Sequence, residues 1–300
     1  MNILNFGPGA HPEALLRWAQ ISEALGYHSL MISDHVAITP SVRERYPEPF
    51  YDTFATLSWL AGQTRRVQLG TTVTVLPYRH PVLTARLAAN IDQFSGGRFI
   101  LGVGVGNPED EFRVLGVRRS KRGALANESL AAILALWTGE GPVSFHGELV
   151  DFDDVWSIAT HQKPHPPIWV GGNSEAAFRR AVRFGDAWHP ILRTLDLLRQ
   201  TSLPGLRHAA ADQDRPMPAF CPRIRLELRE REVAGERMVG TGSLEQVRDD
   251  LGSLQELGAQ HVILDWFTGD VPATANHPRG WKMLALLAEQ VLDLPHEALR

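Results

Sequence analysis

The 300-residue chain has one cysteine, Cys221, so it cannot form a disulfide within itself, and it offers no second thiol for a zinc site of the CxxC kind. A reducing cytoplasm fits that usage. No apolar run approaches the ~18 residues that a membrane helix needs, and the opening MNILNFGPGA has no basic stretch ahead of an apolar one, so neither a span nor a secretory leader is expected. An excess of one charge is missing too. Lys+Arg of 30 against Asp+Glu of 34 leaves a formal charge of -4, which argues against nucleic acid as a partner. Lysine is scarce, with only Lys121, Lys163 and Lys282 among the basic residues, and that bias carries no functional reading.

What is present is enough apolar surface for a sizeable core: 44% of residues are hydrophobic and 21% charged. About 150 residues per domain would give two domains, but α/β barrels often run to this length as one. The recurring unit is a short apolar run followed by a stretch with helical period, which argues for βα repeats and a parallel sheet. Strands are expected at 3–6, 29–33, 67–75, 99–103, 168–170, 187–191, within 219–228, and at 261–267. Helices are expected at 12–25, 53–63, 82–94, 122–137, 174–184, 243–257 and 281–292, several with a proline in the first turn or a glycine just past the end. Ser243 with Gln246 three residues on has the spacing of a capping box. Residues 142–156 read as a β-hairpin inserted in the series. Residues 203–218, rich in Pro, Gly, Asp and Arg, read as surface loop. Two long loops, 36–51 and 104–121, are candidates for function, the first as a lid. Eight such units with no low-complexity linker favour one α/β domain over residues 1–300, a (β/α)8 TIM barrel with insertions, ahead of a doubly wound open sheet.

In such a barrel the site lies at the C-terminal ends of the strands, so the residues just after each apolar run are the informative ones. They are Gly7 and His11; Asp34 and His35; Thr72 to Pro77 with Arg79 and His80; Gly104, Val105, Gly106 and Asn107; Gly171, Gly172, Asn173 and Ser174; His189; and Asp265 with Trp266. Asp34 and His35 are an acid/base candidate, since imidazole titrates near neutral pH and a carboxylate tunes it. Adjacent strand residues point opposite ways, so the two need not touch. Gly102, Gly104 and Gly106 do not make a dinucleotide fingerprint, because Asn107 and Pro108 follow instead of a third glycine and a helix. They read either as turn glycines or as positions that let a flat ligand approach the backbone. Gly171, Gly172, Asn173 and Ser174 sit between a strand and a helix, and read either as a phosphate cradle or as an ordinary N-cap turn. His161 and His165 are separated by proline, and no HxH follows the first strand, so no catalytic metal is expected. Trp59, Trp137, Trp169 and Trp188 read as core, and Trp266 as a pocket residue.

Over nearly its whole length the sequence resembles the luciferase-like monooxygenase superfamily, in the branch of probable deazaflavin (coenzyme F420)-dependent oxidoreductases. The resemblance is carried by ISDH at 32–35, LGTTVTVLPYRHP at 69–81, DQFSGGRFILGVGVGNPEDEF at 92–112, VSFHGE at 143–148, KPHPPIWVGGNSEAAFRRAVRFGDAW at 163–188 and GAQHVILD at 258–265. It implies a bacterial luciferase-like barrel with the cofactor ring over the strand ends. Thr72 and Val73 then hold a non-prolyl cis peptide behind the ring, and Gly171 to Ser174 cradle the phosphate. His35 matches an active-site histidine, with Asp34 beside it, and Asn107 stands where sugar-phosphate dehydrogenase relatives have a glutamate proton donor. Glu111 matches a glutamate common in the branch, read as structural. The implied activity is hydride transfer between coenzyme F420 and a small organic substrate. The alternatives are an FMN-dependent monooxygenase served by a separate reductase and using O2, or a flavin-binding protein without turnover. Arg79 and Arg113 are candidate partners for an acidic cofactor tail, and a homodimer is the expected assembly.

Overall fold

The computed structural model describes residues 1–300. Its main sheet runs Ala219–Phe220, Ala187–His189, Ile168–Gly171, Phe99–Gly104, Gln68–Thr71, Ser29–Ile32, Asn2–Ile3, Ile263–Asp265, Arg223–Arg225, every neighbouring pair parallel. The two ends of that order are separated in sequence only by Cys221 and Pro222. Proline has no N–H to give a ladder, and the seventh strand breaks at Pro222. Its first half pairs with Ala187–His189 and its second with Ile263–Asp265, while Cys221 and Arg223 donate backwards to the Trp188 and Pro190 carbonyls at 2.9 and 2.8 Å. One strand thus reaches both neighbours, and the sheet closes into the eight-stranded barrel that the repeats predict.

The helices follow from local signals. Pro12 opens helix Pro12–Leu25, His11 caps it by accepting from Ala14 N, and Gly26 ends it at φ 90°, a left-handed conformation that suits glycine. Leu15, Trp18, Ala19 and Ser22, three or four apart, form its buried face. Ser243 and Gln246 form the capping box of helix Leu244–Glu256. The hairpin is present as Pro142–His146 against Asp151–Trp156, antiparallel. It is tied to helix Arg122–Thr138 through Glu128, whose carboxylate accepts from the N–H groups of Leu149 and Val150 at 2.8 and 2.9 Å.

Three expectations are corrected. Of residues 203–218, read as loop, the first ten are helix: a helical run through Leu195–Leu197 and the π-turn Leu198–Ser202 continues as Leu203–Asp212, and only 213–218 are irregular. Pro204 falls where the wider π-turn relieves the loss of one N–H, and Leu198, Leu203, Leu206, Ala209 and Ala210 bury one face. Trp59 is 37% exposed, unlike Trp137, Trp169 and Trp188. Trp266 lines a small separate cavity and not the cleft at the barrel mouth; it is buried and stacked on Trp18 with ring centroids 4.9 Å apart. The two long loops also carry short helices, Pro40–Arg43 and Glu109–Val114. No helix is long and apolar enough to cross a membrane.

Most of the core lies between sheet and helices, as one contiguous apolar cluster drawn from Met1 to Val291. A second cluster, Met31, Ile100, Trp169, Ala187, Cys221 and Ile263, comes from six different strands and plugs the barrel interior. Above this plug the lining turns polar, and the functional cleft begins.

Candidate functional site

A cleft of ≈ 670 Å³ opens at the C-terminal ends of the strands, within the range of small-molecule sites. Its floor is a buried polar layer above the apolar plug. Asn2 Nδ2 donates to Asp265 Oδ1 at 2.9 Å, and Arg223 donates to Asp265 Oδ2 from Nη2 at 2.6 Å and Nε at 3.0 Å. The remaining Nη1 of Arg223 donates to the Thr72 carbonyl at 2.7 Å. That carbonyl belongs to the Thr72–Val73 peptide, which is cis, as the resemblance implies. The Thr72 hydroxyl lies 2.9 Å from His189 Nε2, and His189 Nδ1 is 2.5 Å from the Cys221 carbonyl. Because a carbonyl only accepts, Nδ1 carries the hydrogen and Nε2 accepts from Thr72.

Burial pushes His189 from its ordinary 6.5 down to about 4. The folded chain therefore keeps this imidazole neutral where the unfolded chain protonates it, and below 6.5 the unfolded state binds more protons. Stability is expected to fall as pH drops from 6.5 toward 4, by up to about 3 kcal/mol. His189→Asn keeps a donor for the Cys221 carbonyl but cannot titrate in that window. Urea midpoints compared across it should show a shallower pH slope for the variant. Equal slopes would mean that His189 is not the group responsible.

Val73 stands over this floor, half-buried. A Cβ on Gly104 would lie 2.6 Å from Val73 Cγ2, and one on Gly171 3.2 Å from Cγ1. These glycines are therefore set first by the bulk of Val73, a reason that spacing alone does not reveal. Gly106, at φ 73°, turns the chain out toward Asn107, where a Cβ would crowd Val75, Phe112 and Tyr78.

On one wall His35 Nδ1 is 2.8 Å from Glu111 Oε2, while Glu111 Oε1 accepts from the N–H groups of Val36 and Ala37 at 2.8 and 3.2 Å. Glu111 is fully buried. Burial pushes its carboxyl up, yet the hydrogen bonds from His35, Val36 and Ala37 hold it below the usual carboxylate range. An ionised Glu111 requires that Nδ1 of His35 donate, so Nε2 is left without a protein partner on the cleft wall. Tyr46 and Phe50 pack on the same imidazole at 5.2 and 5.5 Å between centroids.

Of the twelve residues read as acid/base pair, backing for the ring, close backbone approach or phosphate cradle, ten line the cleft: Asp34, His35, Thr72, Val73, Gly104, Val105, Gly106, Asn107, Gly171 and Gly172. Asn173 and Ser174 lie outside its lining. Ser174 caps helix Glu175–Phe184 by accepting from Ala177 N, and the Asn173 amide donates to the Ile191 carbonyl. Asp34 and His35 do not touch. Both oxygens of Asp34 face Arg79, at 2.7 and 2.8 Å, and Val75 N adds a third bond at 2.9 Å. Arg79 is consumed by that pair and by Asp52, so it is not free for an acidic ligand. Arg113 is exposed on the outer side of the second loop, in a groove separate from the cleft lining. The cations that do line the cleft are Arg45, Arg223 and Arg225. Sequence reading missed them because they fall in a loop and in a strand whose signal Pro222 interrupts.

A model of the luciferase-like monooxygenase family matches residues 5–232. The chain belongs to this family. An uncharacterized protein of Mycobacterium tuberculosis is 33% identical to it over 182 residues, 57% of this chain and 62% of the relative, so the match spans about three-fifths of that relative's length. Luciferase-like solved structures extend the likeness to the whole fold. A coenzyme F420 dependent tetrahydromethanopterin reductase from Methanopyrus kandleri superposes with a TM-score of 0.79 at 18% identity, covering 99% of this chain and 98% of that one. The oxygenating constituent of 3,6-diketocamphane monooxygenase of Pseudomonas putida, in complex with FMN, gives 0.78 at 15%, covering 100% and 98%. At such identities the likeness is one of fold.

Proposed function

We infer that this protein is a coenzyme F420-dependent oxidoreductase that moves hydride between the deazaflavin and a small organic substrate, with His35 handling the proton. The observation that carries the reading is the His35–Glu111 pair. Reduction of a carbonyl carbon by hydride leaves charge on oxygen, and a nearby acid/base atom completes the step. His35 Nε2 is such an atom, free on the cleft wall with the other ring nitrogen held at 2.8 Å by a buried carboxylate. An arrangement of this kind also weighs against a flavin-binding protein without turnover.

The residues present fit a flat ring system. Val73, bare of side chains at Gly104 and Gly171, offers it an apolar floor, and the Gly104–Asn107 backbone flanks it. The loop of Gly171, Gly172, Asn173 and Ser174 leads into helix Glu175–Phe184, whose first N–H groups have no partner within the helix and suit a phosphate. Ser174 then contributes backbone more than hydroxyl, since its hydroxyl is already the cap. When bound, the deazaflavin supplies a two-electron hydride donor or acceptor at its C5. Asp34, wholly engaged by Arg79, acts as a positioning residue and transfers no proton. Arg45, exposed at the mouth, is the cation placed for an acidic cofactor tail, since Arg225 already faces Glu227 at 3.8 Å and donates to the Thr268 carbonyl.

The second reading is an FMN-dependent monooxygenase supplied by a reductase. Ring position 5, carbon in one cofactor and nitrogen in the other, separates the two through reactivity with O2. Titration of the purified protein with coenzyme F420 and with FMN, followed by quenching of cofactor fluorescence, is expected to show tight binding of F420 alone and no oxygen consumption on turnover. Tight FMN binding with oxygen uptake would replace the proposal by the second reading. Folded protein that binds neither would remove the phosphate cradle and the function built on it.

A further inference from the structure

Around the strand ends the cleft divides into two unlike halves. Over Gln68–Thr71, Phe99–Gly104 and Ile168–Gly171, neighbours in the sheet, Gly104, Gly106, Gly171 and Gly172 leave the backbone bare around Val73, the half assigned above to the ring. The rest of the circle, over Ala187–His189, Arg223–Arg225, Ile263–Asp265 and the first long loop, carries bulky apolar side chains: Ile191, Leu192, Ile224, Met238, Phe267 and Tyr46. His35 stands where the halves meet, with the Tyr46 ring 5.2 Å from its own and Phe267 5.9 Å beyond that. Ile191 is 60% exposed, a large aliphatic group left in water on the lining of a site, and its carbonyl is held by Asn173 Nδ2 at 3.2 Å. Met238 is fixed from both sides. Arg237 donates to Asp250 of helix Leu244–Glu256 from Nη2 at 2.9 Å, Gly240 N donates to the same carboxylate at 2.7 Å, and Val239 N donates at 2.9 Å to the Arg193 carbonyl, next to Ile191 and Leu192.

The charges of the cleft are closed among themselves. Asp34 is held by Arg79, Asp265 by Arg223 and Asn2, His35 by Glu111, and Arg225 by Glu227 and the Thr268 carbonyl. Burial keeps His189 neutral. Arg45 is the one cation of the lining without a carboxylate, and it lies exposed at the mouth over the Tyr46 ring. A charged group carried past the mouth would leave water without gaining a counter-ion, which is costly, whereas apolar surface would gain by leaving it.

We propose that the apolar arc is the substrate half of the cleft and selects uncharged, hydrophobic substrates, with Ile191 and Met238 setting how large an apolar group is taken. The inference deepens the hydride-transfer reading above and rests on it for where the ring lies. Met238, unbranched and flexible beyond its anchored backbone, fits itself to groups of different shape. The arc therefore discriminates by charge and by apolar area more than by outline.

The probes are 4-alkylphenols, uncharged at neutral pH, and 4-alkylbenzoates of the same chain lengths, which carry a charge. They are titrated calorimetrically into the protein with and without saturating F420, so no turnover is needed. From ethyl to pentyl the Kd of the phenols should fall about fourfold per methylene, the worth of burying that group. Each benzoate should bind at least about tenfold more weakly than its phenol, and saturating F420 should leave the phenol affinities within about twofold, since the halves are separate. Ile191→Ser, which removes an exposed side chain and leaves the core alone, and Met238→Ser should each weaken pentylphenol about tenfold and flatten the chain-length series. The assignment is overturned if the phenols fail to bind, if their affinity ignores chain length, if neither serine variant changes it, if the benzoates bind more tightly, or if F420 displaces the phenols. A chain-length series that both serines flatten, in a protein that takes FMN or neither cofactor, would sink the hydride-transfer reading and keep the apolar arc.

Discussion

Alanine at His35 is expected to lower turnover by about 10²- to 10⁴-fold, the usual worth of a general acid/base, while cofactor affinity changes little. The imidazole contacts no part of the polar floor or the Val73 platform, so its removal should leave the ring site intact. Free imidazole added to the variant should restore part of the rate, because the missing group is small and the aromatic pocket of Tyr46 and Phe50 that held it remains. Glu111→Gln tests the pair from the other side. The amide can still accept from Val36 and Ala37 N–H, but its NH2 then faces His35 Nδ1, which forces that nitrogen to accept and moves the ring hydrogen to Nε2. Turnover should then fall with cofactor affinity held, a split that a merely structural glutamate would not produce. Unchanged turnover in His35→Ala would reject the proton-transfer role outright.

Replacing Arg79 with leucine should cost about 3–5 kcal/mol of stability, the penalty for stranding one partner of a buried ion pair. Asp34 has no exposed side-chain surface, and its two oxygens depend on Arg79 at 2.7 and 2.8 Å. Only Val75 N and, at 3.3 Å, the Thr53 hydroxyl would remain to satisfy it. The denaturant midpoint should fall accordingly. Adding Asp34→Asn to that variant removes the orphaned charge and should recover a large part of the loss, as double-mutant analysis can show. If the double variant is no more stable than Arg79→Leu alone, the cost lies in lost packing of the guanidinium over Phe54, 5.2 Å from its ring, and not in charge. Because Asp34 also fixes Val75 N, both variants should weaken cofactor binding by loosening the segment that carries Val73.

Much of this was legible from periodicity and punctuation. Helices opened by Pro12 and Pro81, or capped by Ser174 and Ser243, start within a residue of where the sequence places them, since capping is local chemistry. Ten cleft residues follow from one rule, that a βα barrel gathers the residues after its strands. Other features depend on neighbours remote in sequence. Leu203 to Asp212 is helical because its apolar side chains find a partner in helix Glu175–Phe184, which outweighs the loop-like Pro, Gly and Asp. Arg223 is visible as part of the floor only once Thr72 and Asp265 are brought beside it. Trp266 occupies a strand end but turns outward onto Trp18, a choice of side that an irregular strand end does not announce. Glu111 is named by the resemblance but read as structural; its role as partner of His35 shows only once the second loop folds back onto residues 35–37.

The break at Pro222 bears on how the chain reaches this state during synthesis. The barrel's seam joins Asn2–Ile3 to Ile263–Asp265, and Asn2 reaches Asp265 across 263 residues of sequence. Until residue 265 has left the ribosome, the first strand has an open edge, Arg223 has no carboxylate, and the carbonyl of Thr72 has no oriented donor. Such long-range closure makes assembly slow and late. A chain cut after 232, where the family match ends, would hold every residue of the His35 wall and Arg223 as well, but not Asp265, the carboxylate that orients that guanidinium beneath Val73. The wall is written early in the gene, and the floor is finished last.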